Sequence, residues 1–220
     1  LVPVFADVDK NTFNICSKSI EKKITKKTRA IMAVDYFGRP ADMKKIIFLA
    51  KKYNLKTISD TAQAIGAKYH GKYAGTLADI GGFSLNYHKT IHTGEGGILV
   101  TNNPKLALRL QLIRNHAEAV VKKFRINKIS GLIGRNYRLG EIEAAIGIEQ
   151  LKKLKYLVKE KQNWANQLIK GLSHLDGLSL PIVPKEMTHS YYAFPMKVNT
   201  KKLKVSKNKI LNALRAEGVP

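Results

Sequence analysis

The chain has 220 residues, 44% of them hydrophobic, and a formal net charge of +23. That length allows one or two domains, that apolar share argues against disorder, and no apolar run is long enough to cross a bilayer. The charge alone would suit a polyanion, but only eight of the 39 cations are arginine, the residue that grips phosphate bidentately.

The lysines are scattered in pairs such as Lys22-Lys23, Lys44-Lys45, Lys51-Lys52 and Lys152-Lys153, as on wet helix faces. With no recognised nucleic-acid motif, the chain reads as binding neither nucleic acid nor membrane. A positive field would equally suit a nucleotide-bearing substrate. Cys16 is the lone cysteine, so no internal disulfide is possible, which fits a reducing cytoplasm. The first residues, "LVPVFADVDK", lack the basic and apolar regions of a signal peptide. Both ends read as cut, as in a piece of a longer polypeptide.

In chain order, strands are expected at Val2–Phe5, Ala30–Val34, Leu55–Ser59, Ile80–Ser84 and Gly97–Thr101; "AIMAV" and "LKTIS" among them are short and bounded by polar residues, as buried strands tend to be. "RPADMKKIIFLAKKYN" reads as a helix with Pro40 in its first turn and Met43, Ile46, Ile47 and Ala50 on one apolar face. Asn103-Pro104 opens another, with Leu106, Leu110 and Ile113 inward. This alternation predicts an α/β domain with a largely parallel sheet. From Gly140 one long helical stretch follows. After it come the Gly/Pro-punctuated "DGLSLPIVP", a strand "YYAFPMKV" and a helix that Ser206 caps and Gly218 ends. Residues 1–155 are therefore read as a large domain and 156–220 as the start of a smaller one.

Asp60 directly follows a strand, where ligands of open α/β sheets bind, though a turn-capping role is as natural. Gln63 is placed to face the same way. Ser84 also ends a strand, and its hydroxyl could bond a phosphate. Lys89 sits five residues on, in a connection closed by the turn Gly94-Glu95-Gly96-Gly97. A partly buried lysine can form a Schiff base, but a lysine in a β-connection is the plainer reading. The order is more telling than any member. An anion, a hydrogen-bonding amide, a phosphate-binding hydroxyl and a lysine are what pyridoxal phosphate requires. His88 and His92, four apart, lack a third ligand, so no metal site is expected.

The stretch "SDTAQAIGAKYHGKYAGTLADIGGFSLNYHKTIHTGEGGILVT" closely resembles the signature region of the DegT/DnrJ/EryC1/StrS sugar aminotransferases. "PVFADVDKNTFNI" and "KTRAIMAVDYFGRPADM" extend the likeness before it; "RNHAEA", "IGRNYRLGEIEAAIGIEQLKKL" and "THSYYAFPM" extend it after. The resemblance implies the aspartate aminotransferase fold (pyridoxal-phosphate fold type I), with part of a smaller α+β C-terminal domain. It also implies pyridoxal 5'-phosphate as cofactor, with Lys89 holding it covalently and later carrying the proton. Asp60 would pair with the pyridine nitrogen, Ala62 would lie against a ring face, Gln63 would bond the ring hydroxyl and Ser84 the phosphate. Asn136, in "GRNYR", would reach the phosphate of a neighbouring subunit's cofactor, since family sites form across a homodimer. His189, in "THSYY", would approach the substrate or serve local structure.

The activity so implied is transfer of an amino group, from glutamate, to a nucleotide-linked keto sugar. Two rivals are a pyridoxamine-dependent sugar dehydratase of the same family and a relative that binds ligand without catalysis. The first characteristically replaces the lysine with histidine, and the intact Asp60, Gln63, Ser84 and Lys89 set argues against the second.

Overall fold

The structure, a computed structural model, describes residues 1–118 and 132–219. Its elements are α1 (Ser17–Lys23), β1 (Ala30–Val34), α2 (Met43–Lys52), β2 (Lys56–Asp60), β3 (Lys68–Tyr69), β4 (Lys72–Tyr73), β5 (Ile80–Ser84) and β6 (Gly97–Val100). Then follow α3 (Pro104–Arg114), α4 (Glu141–Leu172), β7 (Leu178–Ser179), β8 (Lys197–Val198), α5 (Thr200–Leu203) and α6 (Lys207–Ala216). No described helix is long and apolar enough to cross a membrane.

The main sheet has the order β1-β2-β5-β6. β1, β2 and β5 are parallel, and β6 returns antiparallel to β5. Val34 lies beside Asp60, and Asp60 beside Gly82, so the carboxyl ends of three strands share one edge. α2 is the crossover that parallel β1 and β2 need. It buries Met43, Ile46, Leu49 and Ala50 against Ile31 and Ala33 of β1 and Ile20 of α1. Ile47, expected inward, is only partly buried, and Leu49 takes that place.

β1 and β5 match the expected boundaries. β2 starts one residue later than expected because the Leu55 N–H still bonds the Ala50 carbonyl at 2.8 Å, closing α2. Asn54, at φ 52°, makes that turn in the left-handed region. α2 itself begins at Met43, after Pro40. Asp42 caps it by accepting from the Lys45 N–H. Asn103 caps α3 as expected, with Pro104 first, but Leu112 is its buried residue rather than Leu106, Leu110 or Ile113.

Two strand expectations fail. Val2–Phe5 forms no strand; Val2, Val4 and Phe5 are exposed, because an apolar run needs a partner to pair with. Of "YYAFPMKV", only Lys197–Val198 is a strand. Tyr191 at φ 48° and Pro195 break the run before it. α4 is one unbroken helix through residue 155, as its pattern predicts. Its apolar residues are largely exposed, including Ile142, Leu151 and Trp164. Its middle packs inward, with Leu154 and Leu157 against Ile65, Leu85 and Ile91. Ser206 caps α6 and Gly218 follows it at φ 84°, as expected.

Candidate active site

The shared strand edge positions Asp60. Its carbonyl accepts the Asp35 N–H at 2.9 Å, and the Thr61 N–H continues to the Gly82 carbonyl at 2.8 Å, so the backbone on both sides is tied to neighbouring strands. The Asp60 side chain accepts the Ala62 N–H through Oδ1 at 3.0 Å. No described residue hydrogen-bonds Oδ2. The chain then turns through Ala62 and Gln63 into buried Ala64.

Gln63 is held from two sides. Its Oε1 accepts the Phe37 N–H at 2.7 Å, and its carbonyl accepts the Ser190 hydroxyl at 3.4 Å. Ser190 also donates its N–H to the Gly38 carbonyl at 2.8 Å. Gly38 has φ 102°, and a Cβ there would meet the backbone nitrogens of Tyr191 and Tyr192 below 3 Å. Only glycine lets the loop after β1 approach the His189–Tyr192 segment so closely.

Ser84 ends β5 two residues beyond Gly82, the neighbour of Asp60. Its Oγ accepts the Asn86 N–H at 3.2 Å. From there the chain arches outward and returns as β6, with Ser84 paired to Gly97. The feet of the arch are fixed by Leu85 N–H to Gly96 C=O at 2.8 Å and Thr93 N–H to Leu85 C=O at 2.9 Å. Leu85 and Ile91 are buried beneath it. Lys89 sits on this arch, its N–H bonded to the Asn86 carbonyl at 2.9 Å. Its Nζ lies 4.7 Å from the centre of the Tyr192 ring, a cation–π contact. Among the described residues no hydrogen bond or carboxylate holds that ammonium.

The structure thus gathers Asp60, Ala62, Gln63 and Ser84 at one strand edge, with Lys89 on the arch above β5. Asn136 stands apart from them within this chain. It is exposed, bridged through its backbone to Asn115, and its Oδ1 accepts the Arg138 N–H at 3.5 Å. His189 is buried, 3% exposed, and its Nδ1 accepts the Tyr191 N–H at 2.9 Å while the two rings stack at 4.1 Å. Burial first, then the Arg39 charge, lowers its pKa to about 4, so the ring is neutral and its Nδ1 is already engaged.

Three supporting groups escaped the sequence reading. Asp35 directly follows β1 and Asp60 ends β2, so the same strand-end logic could have flagged it. Tyr192 drew notice only as part of a motif. Lys161 and Gln162, midway along α4, carried no signal. Lys161 Nζ donates to Thr90 Oγ1 at 3.1 Å, and Gln162 Nε2 to the His189 carbonyl at 2.9 Å.

A mainly parallel sheet with an acid at one strand end and a lysine on the adjoining arch defines the class: the α/β fold of aspartate-aminotransferase-type enzymes, borne out by solved structures. The aminotransferase from Psychrobacter cryohalolentis superposes with a TM-score of 0.92 at 31% identity, covering 99% of this chain and 60% of that one. The Escherichia coli GDP-4-keto-6-deoxy-D-mannose-3-dehydratase, solved with hydrated pyridoxal phosphate, superposes at 0.84 with 27% identity, covering 97% and 58%. The GDP-perosamine synthase of Escherichia coli O157:H7 is 40% identical over 190 residues, 86% of this chain and 50% of that protein. The model of the DegT/DnrJ/EryC1/StrS aminotransferase family matches residues 1–220, and the chain belongs to that family. It spans half to three-fifths of the length of these relatives.

Proposed function

We propose that the full-length protein is a pyridoxal-phosphate-dependent aminotransferase that moves an amino group from an amino acid, glutamate by family analogy, to a nucleotide-linked keto sugar. The observation that carries this reading is Lys89. The residue is half-buried on a fixed arch that leaves β5, the strand paired with that of Asp60, and its amine has no hydrogen-bond or ion-pair partner among the described residues.

The donor set fits the cofactor. Asp60 Oδ2 is unengaged by any described residue and suits a pyridinium N–H. Gln63 is anchored through Oε1, which leaves its Nε2 to donate to a ring oxygen. Ser84 accepts from Asn86, which leaves its hydroxyl proton for a phosphate. Ala62 presents a methyl group between Asp60 and Gln63, small enough to lie under a ring. The exposure of Asn136 agrees with service to a second copy of the chain in a homodimer with shared sites. The name of the perosamine synthase supports a nucleotide-linked sugar as substrate.

Pyridoxal phosphate, when bound, supplies the electron sink that lets an α C–H bond of the donor break. Asp60 would accept the ring N–H and so keep that sink open. Lys89 Nζ would take the donor's α-proton and return a proton on the sugar half of the reaction. The arch keeps that amine within reach through both halves.

The test incubates the full-length protein with cofactor, glutamate and a panel of nucleotide keto sugars, and follows 2-oxoglutarate. Lys89→Ala should cost at least about a thousandfold in turnover. Native turnover by that variant would sink the reading. Release of a deoxygenated sugar without 2-oxoglutarate would favour the dehydratase, and binding without either product a non-catalytic relative.

A further inference from the structure

Beneath Asp60 lies a closed triangle of oxygens. Asp35 Oδ2 is 2.9 Å from Ser59 Oγ and 2.7 Å from Thr61 Oγ1, and those two hydroxyls are 3.0 Å from each other. All three residues are at most 1% exposed. Every side of the triangle has hydrogen-bond length, so three protons could bridge it. Ser59 and Thr61 bring two. If Asp35 were ionised, one side would set lone pairs against lone pairs inside the protein, away from water. The other carboxyl oxygen, Oδ1, is already taken by the Ala41 N–H at 2.8 Å. A third proton, on Oδ2, would close the triangle.

We propose that Asp35 is a neutral carboxylic acid in the folded protein at neutral pH, and that it is a positioning residue for Asp60, tying down the residues on either side of it. The backbone agrees: the Asp35 N–H also holds the Asp60 carbonyl. Asp35 thus fixes Ser59, Asp60 and Thr61 at once, while adding no second negative charge to the strand edge. Asp60 is left as the one anion directed at a cationic ring.

The groups facing Asp35 pull in both directions. From β2 and the turn after it come the Ser59 and Thr61 hydroxyls and the Asp60 charge; from its own loop comes only the Ala41 N–H. Arg39, four residues on, has Asp9, Asp42 and Glu186 as its charge partners. Burial is the main influence raising the Asp35 pKa, opposed by its three hydrogen bonds and joined by repulsion from Asp60.

The role in catalysis rests on the reading of Asp60 above, but the protonation does not, so the first measurement is made without cofactor. The full-length protein, labelled with carboxyl-13C aspartate and assigned by Asp35→Asn and Asp60→Asn, is titrated by NMR. At pH 7 the Asp35 carboxyl should be protonated. An ionised Asp35 at pH 7 overturns the proposal and leaves the aminotransferase reading intact. The second measurement is cofactor affinity, read from pyridoxal phosphate absorbance. Asp35→Ala should weaken it roughly five- to hundredfold. Asp35→Asn, which cannot ionise but can donate to both hydroxyls, should recover most of that loss. Equal loss in both variants overturns the positioning role. Failure of the unsubstituted protein to bind cofactor overturns the aminotransferase reading instead.

Discussion

Neighbouring side chains in this site are kept in different charge states by their surroundings. Asp60 accepts one backbone N–H at a partly open strand end. Asp35, one strand over, is enclosed. His189 is the basic counterpart of Asp35, because burial beside Arg39 keeps its ring neutral. That has a consequence for stability. The unfolded ring titrates near 6.5 and the folded one at about 4, so the unfolded state takes up the proton first as pH falls. His189 therefore costs nothing above pH 6.5. Between there and about pH 4 the fold should lose stability, by at most about 3 kcal/mol. Denaturant unfolding of the full-length protein across that range measures the slope, and His189→Asn should flatten it. An unchanged slope in the variant would assign the acid sensitivity to other groups.

At the scale of elements, α4 ties together the two segments that flank Lys89. Lys161 holds the arch through Thr90, and its neighbour Gln162 holds the His189 carbonyl three residues before Tyr192, on whose ring Lys89 rests. Lys161 is half-buried with no carboxylate partner among the described residues, and burial pushes its pKa down. Lys161→Met should therefore leave global stability nearly unchanged, since it trades a buried cation for an apolar chain. Gln162→Ala should cost about 1 kcal/mol. Each should speed amide exchange in the arch from Asn86 to Thr93. Unaltered exchange in both variants would dismiss the clamp.

How much of this could be read beforehand follows from how local each feature is. β1 and β5 were legible because their apolar runs end sharply at polar residues. Ser206, Asn103 and Gly218 were legible because a cap is a short-range bargain between a side chain and the next turn. Asp60, Gln63, Ser84 and Lys89 were found through their order along the chain. Val2–Phe5 had the composition of a strand, but strand formation depends on a partner that composition does not reveal. The Lys161–Thr90 bond joins residues 71 apart, and nothing in either neighbourhood announces the other. Asp35 also lies at a strand end, but its partners Ser59 and Thr61 are 24 and 26 residues away, and nothing local to it announces them.

At the scale of the whole molecule, the two halves of the site are assembled by different routes. The acid half needs β1, β2 and β5 side by side, and parallel neighbours can meet only after a crossover such as α2 has formed. The lysine half needs only β5, the arch and β6, which are consecutive and antiparallel. Contacts between residues near in sequence cost less chain entropy and form sooner. In refolding from denaturant, pulse-labelled exchange should protect amides of residues 80–100 before those of 30–60. Simultaneous protection would show one cooperative step. The antiparallel return of β6, which in the finished fold anchors the arch, would thus give the chain a head start: Lys89 would be mounted before Asp60 had been brought alongside.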